Sequence, residues 1–293
     1  MDRTLRRFGA VVVAIAVLVL PVSRAFATPE PTYLAIGDSL AYGMQVGKLK
    51  QEVAAGNVTA ASFNTGYVDV LAAKLRTTTP ALRVVDFGCP GETTASFING
   101  PCGYVTTGAP FGNQPLPLHD SYTNAQLTTT LAYLAHHPEV TTITFDLGLN
   151  DLRAVEVACS TAADGSRCID DGWSAARAGT ERNIRDILGQ IRAAAPTATI
   201  VVLGYYNWLA VTMPQTDRQV EDVNAILATA TASIHGRFVN AFPAFNQTGD
   251  ERSRLCELTL FCGTVPDVHP SNAGYRAIGN LLAAALGKSS SPK

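Results

Sequence analysis

Short apolar runs alternate with amphipathic stretches along most of the chain. Five runs rich in Val, Ile, Thr and Phe lack polar alternation, which predicts strands buried on both faces of a parallel sheet. These runs cover residues 32–36, 82–87, 142–147, 199–204 and 237–241. Strand–helix alternation predicts an α/β fold, namely an open three-layer α/β/α sandwich with a mainly parallel sheet. Because such sheets bind ligands beyond the carboxyl ends of their strands, each strand exit is a candidate site.

Apolar residues at helical spacing predict three of the connecting helices. One carries the apolar positions of 184–191 and ends before Pro196, and a second covers 220–234. The third begins after Ser271 as N-cap and ends at Gly287. Three further segments are predicted to be loop insertions that shape a mouth over the sheet: residues 44–64, 99–123 and 153–172.

The amino-terminal segment has the organisation of a secretory signal. Three arginines within the first seven residues precede an apolar run at 8–22, and a small-x-small pattern ends at Ala27. The alternative is a retained membrane anchor, but the run is shorter than the roughly 20 residues that span a bilayer, and Pro21 interrupts it. We therefore expect a cleaved signal peptide over 1–27 and a secreted product without stable membrane insertion, or a cell-envelope protein if the segment is retained.

Composition and charge exclude some classes of protein. Of 293 residues 47% are apolar and 16% charged, which excludes a disordered chain. The net charge is −2 and the sequence contains no long basic run, so nothing in it indicates nucleic-acid binding. No linker divides the chain, so one domain is expected over 28–287, followed by a flexible Ser/Pro-rich tail at 288–293. We expect a monomer.

The exported part contains an even number of cysteines, which in an oxidising compartment predicts disulfides. They are Cys89, Cys102, Cys159, Cys168, Cys256 and Cys262. Six cysteines allow 15 connectivities, and the simplest joins the three sequence-local pairs. No CxxC or Cys/His spacing indicates a metal site.

Two strand exits carry candidate catalytic groups. Ser39 stands where the first strand ends, in Gly-Asp-Ser-Leu, and could be a nucleophile, although Asp38 or Ser39 could equally cap the next helix. After the second strand, Gly88 and Gly91 allow close backbone approach, and an N–H there could stabilise an oxyanion. An ordinary tight turn is the alternative for this second exit.

Two later segments add an amide and an imidazole. Asn150 follows the third strand and could donate a hydrogen bond to an oxyanion, or cap a helix. His269 directly precedes the last helix and is a candidate general base. The other four histidines have no comparable context: His119, His136, His137 and His235.

Together these segments resemble the four ordered blocks of the SGNH, or GDSL, hydrolase family. The blocks are named for Ser, Gly, Asn and His, here Ser39, Gly91, Asn150 and His269, and the resemblance spans about residues 32–286. It implies a flavodoxin-like fold and hydrolysis of ester bonds with no metal or organic cofactor.

The resemblance also implies the role of each residue. Ser39 would attack the acyl carbonyl after His269 takes its proton, and the N–H groups of Ser39 and Gly91 with the Asn150 amide would form the oxyanion hole. The family usually has an aspartate three residues before the histidine, where this chain has Pro266. Asp267 or a backbone carbonyl such as that of Pro266 could orient His269, and both alternatives stay open.

The sequence therefore predicts a secreted serine esterase or lipase acting on a small-molecule or lipid ester. A deacetylase of acylated polysaccharide is an alternative within the same chemistry. A catalytically silent binding protein that retains the fold is the alternative from another class.

Overall fold

The central feature is a five-stranded, all-parallel sheet in a computed structural model that describes residues 29–103, 116–246 and 250–287. The predicted signal segment and tail lie outside the described residues. The strand order is β2-β1-β3-β4-β5. The strands are β1 (Thr32–Gly37), β2 (Arg83–Asp86), β3 (Val140–Asp146), β4 (Thr199–Gly204) and β5 (Arg237–Asn240). All five predicted strands are confirmed to within two residues at each end, as is the flavodoxin-like order.

The burial of each strand explains why its sequence lacks polar alternation. Every residue of β1 is buried, as are nearly all of β4, because both strands lie between neighbours and are covered on both faces. The outer strand β2 is exposed at its start and buried only at its carboxyl end.

Helices cover both faces of the sheet. They are α1 (Ser39–Tyr42), α2 (Val46–Ala54), α3 (Tyr67–Leu75), α4 (Thr94–Asn99), α5 (Gln126–His136), α6 (Leu149–Ala158), α7 (Gly165–Ala194), α8 (Asp217–Ser233), α9 (Phe242–Asn246), α10 (Glu251–Leu258) and α11 (Asn272–Gly287). Helices α3 and α11 pack together on one face, and α5, α7 and α8 form the other layer, as right-handed crossovers require. Among the described residues, no helix combines the length and apolar character needed to cross a membrane.

The three helices predicted from periodicity are present, whereas two segments predicted as loops contain helices. Segment 44–64 contains α2, and segment 153–172 contains the end of α6 and the start of α7. Helix α2 fully buries only Leu49, so its apolar periodicity is too sparse to recognise. Segment 99–123 lies partly outside the described residues.

A small antiparallel hairpin stands beside the sheet and was not predicted. Strand β6 (Thr259–Leu260) pairs with β7 (Asp267–Pro270), which leads into α11. Two-residue β6 is too short to show alternation. The structure joins all six cysteines in the sequence-local pairs 89–102, 159–168 and 256–262, and the last of these ties α10 to the residues after β6.

Side-chain amides bind the backbone where two of the strands end. Three amides each accept from a backbone N–H and donate to the carbonyl of the same residue, with donor–acceptor distances between 2.7 and 3.0 Å. We call them the amide clamps: Gln126 on Gly37, Asn224 on Tyr205 and Asn246 on Asn207. The backbone beyond β4 is therefore held in place by side chains at Tyr205 and Asn207, and Gln126 adds to the strand pairing of Gly37 at the end of β1.

Candidate active site

A cavity of about 290 Å³ opens at the carboxyl edge of the sheet. Its lining combines polar groups from several strand exits with an apolar wall. The polar residues are Asp38, Ser39, Asn150, Arg153 and His269. The remaining lining residues are Gly91 and the apolar or aromatic residues Leu40, Met44, Val46, Pro90, Leu149, Tyr205, Tyr206, Trp208 and Val268. Four of the five residues that the sequence predicted as catalytic or oxyanion groups line this cavity, and Asp267 lies behind His269.

Ser39 is the first residue of α1 and lies directly after β1. Asp38 is the N-cap of this short helix, since its Oδ1 accepts from Leu40 N at 2.9 Å, so the capping role belongs to Asp38. Among the hydrogen bonds of the described residues, none uses the Ser39 backbone N–H. Ser39 therefore brings both a hydroxyl and an available N–H to the cavity.

Glycine is required at the residue before Asp38. Gly37 has φ +148°, and a Cβ there would lie 2.2 Å from the Asp146 carbonyl oxygen and 2.7 Å from its carboxyl carbon. The backbone at the end of β1 thus runs directly against the end of β3. Any side chain at this position would displace the turn that carries Ser39.

The turn after β2 supplies Gly91. Its φ of +77° lies in the left-handed region that favours glycine, and its N–H is used by none of the hydrogen bonds described for this chain. The disulfide between Cys89 and Cys102 anchors the turn two residues earlier. Gly88 allows close approach, since a Cβ there would lie 2.5 Å from Tyr42 N.

Asn150 connects two strand exits. Its Nδ2 donates to the Glu92 carbonyl at 3.0 Å and to Asp38 Oδ2 at 3.3 Å. The N-cap of α6 is Gly148, so Asn150 does not cap this helix. The neighbouring Asp151 accepts from the N–H and hydroxyl of Thr94, the first residue of α4, at 2.9 and 2.6 Å.

His269 is held by a carboxylate. Its Nδ1 lies 2.5 Å from Asp267 Oδ1, and the two side chains are 12% and 1% exposed. The second oxygen, Oδ2, accepts from Val46 N at 2.6 Å. The structure therefore places Asp267, not the Pro266 carbonyl, at Nδ1. The two-residue spacing suffices because Asp267 and His269 lie on strand β7, where residues i and i+2 point to the same face.

The environment of Asp267 favours its ionised form. Burial alone would raise the pKa of this carboxyl, but the hydrogen bonds and charge of His269, together with the N–H of Val46, lower it below its ordinary value. With Asp267 anionic, Nδ1 carries the proton and Nε2 is left as the basic nitrogen.

Asp38 lines the cavity, whereas the sequence analysis treated it only as a helix cap. Besides Leu40 N and Asn150, its carboxylate accepts from the Tyr205 hydroxyl at 2.8 Å, and its backbone N–H donates to Asp146 Oδ2 at 3.2 Å. The sequence feature that could have indicated this is position, because Asp38 and Asp146 lie at the ends of two strands that are adjacent in the sheet. Their contact could not be read from the sequence because it depends on the parallel register of β1 and β3.

The other histidines are used elsewhere. His119 contacts the Tyr42 carbonyl at 3.0 Å, and His137 contacts Glu139 at 2.7 Å. His136 is exposed at the end of α5, and the cavity lining includes none of these three.

Comparisons with known proteins agree with this arrangement. The sequence model of the GDSL-like Lipase/Acylhydrolase family matches residues 35–277 of this chain. Comparison with curated proteins gives no match. Among solved structures, an extracellular lipase from Streptomyces rimosus superposes with a TM-score of 0.57 at 16% identity, covering 88% of this chain and 100% of that one.

Two further solved structures superpose on this chain with similar TM-scores and sequence identities. Phospholipase A1 from Streptomyces albidoflavus NA297 has a TM-score of 0.56 at 16% identity, covering 89% and 100% of the two chains. A variant of an acetyl-xylooligosaccharide esterase from Geobacillus has 0.53 at 15% identity, covering 90% and 97%. At such identities these structures establish a shared fold. Because the family's sequence model matches most of the sequence, the chain belongs to the GDSL-like lipase/acylhydrolase family.

Proposed function

We propose that this protein is a secreted serine ester hydrolase in which Ser39 is the nucleophile, His269 the general base and Asp267 the residue that orients the base. The observation that carries the proposal is the 2.5 Å contact between His269 Nδ1 and Asp267 Oδ1 at a cavity whose wall includes Ser39. A buried acid, an imidazole and a serine at one cavity are the parts of a catalytic triad, which is recognised by geometry and not by order along the chain.

In the first half-reaction, Nε2 of His269 takes the Ser39 hydroxyl proton while Oγ attacks the acyl carbonyl carbon. The imidazolium formed is stabilised by the Asp267 carboxylate, since a charge-assisted hydrogen bond is stronger than a neutral one. Its proton then passes to the departing alcohol oxygen, leaving the acyl group on Ser39. In the second half-reaction, water attacks the acyl carbon and gives its proton to Nε2. This proton then returns to Ser39 Oγ as the bond between Oγ and the acyl carbon breaks and the acid leaves.

The oxyanion of each tetrahedral intermediate would be held by the N–H groups of Ser39 and Gly91, which have no acceptor among the described hydrogen bonds. Asn150 would contribute the amide hydrogen now directed to Asp38, because that contact is longer, at 3.3 Å, than the 3.0 Å contact to Glu92. Donors fixed before the reaction stabilise developing charge without reorganisation.

The shape and lining of the cavity indicate a substrate with an apolar acyl group. The cavity volume of about 290 Å³ is close to the lower end of the roughly 300–1,000 Å³ found for small-molecule pockets. Trp208, Tyr206 and Leu149 supply apolar surface to the lining of this cavity. This favours a small-molecule or lipid ester with a longer acyl chain over the alternative, acetyl groups on polysaccharide. The three disulfides support secretion, because such bonds persist in oxidising compartments.

The test combines a serine-reactive phosphonate with soluble esters of increasing acyl length. The phosphonate should label the wild-type protein once per chain, and Ser39→Ala should abolish labelling and lower turnover by about 10⁶ without unfolding the protein. Ser233→Ala is the matched control, since this exposed serine bonds only to its own helix at the opposite edge of the sheet.

Activity of Ser39→Ala within tenfold of wild type would remove Ser39 as nucleophile. A folded wild-type protein that neither reacts with the phosphonate nor cleaves any ester would instead support a binding protein. Turnover that peaks at acetyl esters would favour the deacetylase.

A further inference from the structure

Glu92, the residue after Gly91, has a buried carboxyl that no step of the proposed reaction uses. The residue is only 2% exposed, and no lysine or arginine is among the interactions described for its carboxyl. Burial, together with the nearby charge of Asp38, raises the pKa of this carboxyl to about 7. Burying an acid without a cation costs stability, so stability alone does not explain an acid at this position.

The Glu92 carboxyl joins the turn after β2 to the turn after β1. Its Oε1 accepts from the Ser96 hydroxyl, and its Oε2 accepts from Gln126 Nε2 at 3.2 Å. The same Gln126 side chain is the amide clamp on Gly37, accepting from its N–H at 2.7 Å and donating to its carbonyl at 3.0 Å. Because Gly37 lies two residues before Ser39, one side chain connects Glu92 to the backbone that carries the nucleophile.

Gln126 is held from a further side. Its Nε2 also contacts the Tyr122 hydroxyl at 3.1 Å, and that hydroxyl donates to the Phe87 carbonyl at 3.1 Å. Gln126 is fully buried, and hydrogen bonds in such surroundings are stronger than those exposed to water. The connection from Glu92 to Gly37 therefore runs through the interior of the protein.

The backbone of Glu92 reaches the other two proposed oxyanion donors. Its N–H donates to the Cys89 carbonyl at 3.2 Å, which closes a turn that contains Gly91. Its carbonyl accepts one hydrogen of the Asn150 amide at 3.0 Å, which fixes the rotation of that amide. The three proposed donors, on Ser39, Gly91 and Asn150, are therefore all connected to this one residue.

We propose that Glu92 is the positioning residue of the oxyanion hole. Its carboxyl, through Gln126, holds the Gly91 turn against the backbone that precedes the nucleophile. Its carbonyl orients the Asn150 amide, so that the second hydrogen of this amide is available to the oxyanion. The inference rests on the proposed function, but the position of the carboxyl that it requires can be tested without activity.

The first experiment compares Glu92→Ala with Glu92→Gln on a soluble short-chain ester. Alanine releases the two turns, so kcat should fall by about 10² while KM changes by less than about threefold, as for displaced transition-state donors. Glutamine keeps an oxygen for Gln126 and offers a hydrogen to the Ser96 hydroxyl, so it should recover kcat to within about threefold of wild type. Glu92→Leu, of similar size, replaces Glu92→Ala if that variant does not fold.

Ser96→Ala is the matched control for these variants. Ser96 also bonds to Glu92, but its other partners belong to Thr93, the N-cap of α4. Loss of its hydroxyl should weaken the start of α4 and lower stability, with kcat within about threefold of wild type. A loss in kcat as large as that of Glu92→Ala would mean that Glu92 acts through α4, and would overturn the connection through Gln126.

The connection itself is tested by Gln126→Met, a side chain of similar size without the amide. Alone, this variant should lower kcat at least as much as Glu92→Ala, because it also releases Gly37. Adding Glu92→Ala should then cost less than about threefold more, because the losses of residues that act as a unit do not add. Additive losses would show that the two side chains act separately and would overturn the proposal.

A further measurement locates the carboxyl without reference to activity. With a folded pKa of about 7 and an unfolded value of about 4.3, Glu92 takes up a proton on folding between these two pH values. The stability of the wild type relative to Glu92→Gln should therefore fall as pH rises through this range and stay constant above it. The expected change in the ratio of the two unfolding constants is up to about tenfold per pH unit. A pH-independent ratio would place the carboxyl in water and overturn the proposal.

These measurements separate the possible failures. If the wild type cleaves esters and Glu92→Ala keeps kcat within about threefold of it, the positioning role is wrong although the proposed function stands. If the wild type cleaves no ester, the proposed function fails and the catalytic role of Glu92 fails with it. The pH dependence of stability still shows in that case whether the carboxyl lies inside the fold.

Discussion

Ser39 and His269 reach the same cavity from two parts of the molecule that are built differently. Ser39 follows β1, which is buried throughout and paired on both sides by β2 and β3. His269 lies on β7, which in the described pairings joins only the two-residue β6. We refer to these parts as the nucleophile side and the histidine side.

The histidine side is attached mainly through side chains. Val46 N donates to Asp267, the Tyr206 hydroxyl donates to the Val268 carbonyl at 2.7 Å, and Gln45 donates to the Pro270 carbonyl at 3.1 Å. Regions with few ladder hydrogen bonds open locally at lower free energy than the core of a sheet. The position of the nucleophile therefore depends on the fold as a whole, whereas the position of the base depends on a few separable contacts.

The largest expected effect is on the histidine side. Asp267→Asn removes the negative charge at Nδ1 and favours the wrong imidazole tautomer, so turnover should fall by about 10⁴ while the sheet remains intact. The measurement is kcat on a soluble ester between pH 5 and 9, with circular dichroism to verify folding.

Asp250→Asn is the matched control for this variant. Asp250 caps α10 through Ser253 N at 3.0 Å, a role that asparagine also performs, and the residue is exposed. A loss below about tenfold for Asp267→Asn would mean that His269 is oriented by something other than this carboxylate, and the contrast between the two sides would weaken.

The next effect is on the nucleophile side. Asn150→Ala should lower kcat by about 10²–10³, as for loss of one oxyanion donor. Melting temperature should change little because the amide lies at a strand exit and its partners, Glu92 and Asp38, retain other contacts.

Asn183→Ala provides the comparison for Asn150→Ala. Asn183 Nδ2 donates to the Thr94 hydroxyl at 2.9 Å, so its loss should affect stability and leave kcat nearly unchanged. A large stability loss with preserved specific activity in Asn150→Ala would show that the amide only joins the two strand exits.

The smallest effect concerns the disulfide of the histidine side. Replacing Cys256 and Cys262 by serine should remove about 2 kcal/mol of stability, the chain-entropy value for a short loop. If the histidine side opens independently, activity should be lost at a lower temperature than global unfolding. The same change at Cys159 and Cys168, between α6 and α7, should lower both temperatures together. If the Cys256 and Cys262 variant loses activity and global structure at the same temperature, the two sides unfold as one unit.

The two sides also differ in how far the sequence predicts them. On the nucleophile side, long buried strands have a clear apolar signal, and Ser39, Gly91 and Asn150 follow from their places at strand exits. On the histidine side, the hairpin is too short for a periodic signal, so the alignment of Asp267 with His269 on one strand face could not be foreseen. Residues such as Asp146, whose partners come from other strands and helices, depend on sheet register, which no local pattern reveals.

The amide clamps have a consequence for the chemical ageing of the protein. Each clamp needs a donor nitrogen and an acceptor oxygen on one side chain, so deamidation, which replaces that nitrogen by oxygen, cannot be accommodated. At Asn224, the new carboxylate would face the Tyr205 carbonyl at the distance now occupied by a hydrogen bond, 2.9 Å. Two acceptors would then repel each other in a dry interior. A stored sample would in this way lose the geometry of its cavity through a change of about one mass unit, without a cut in the chain or a reduced disulfide.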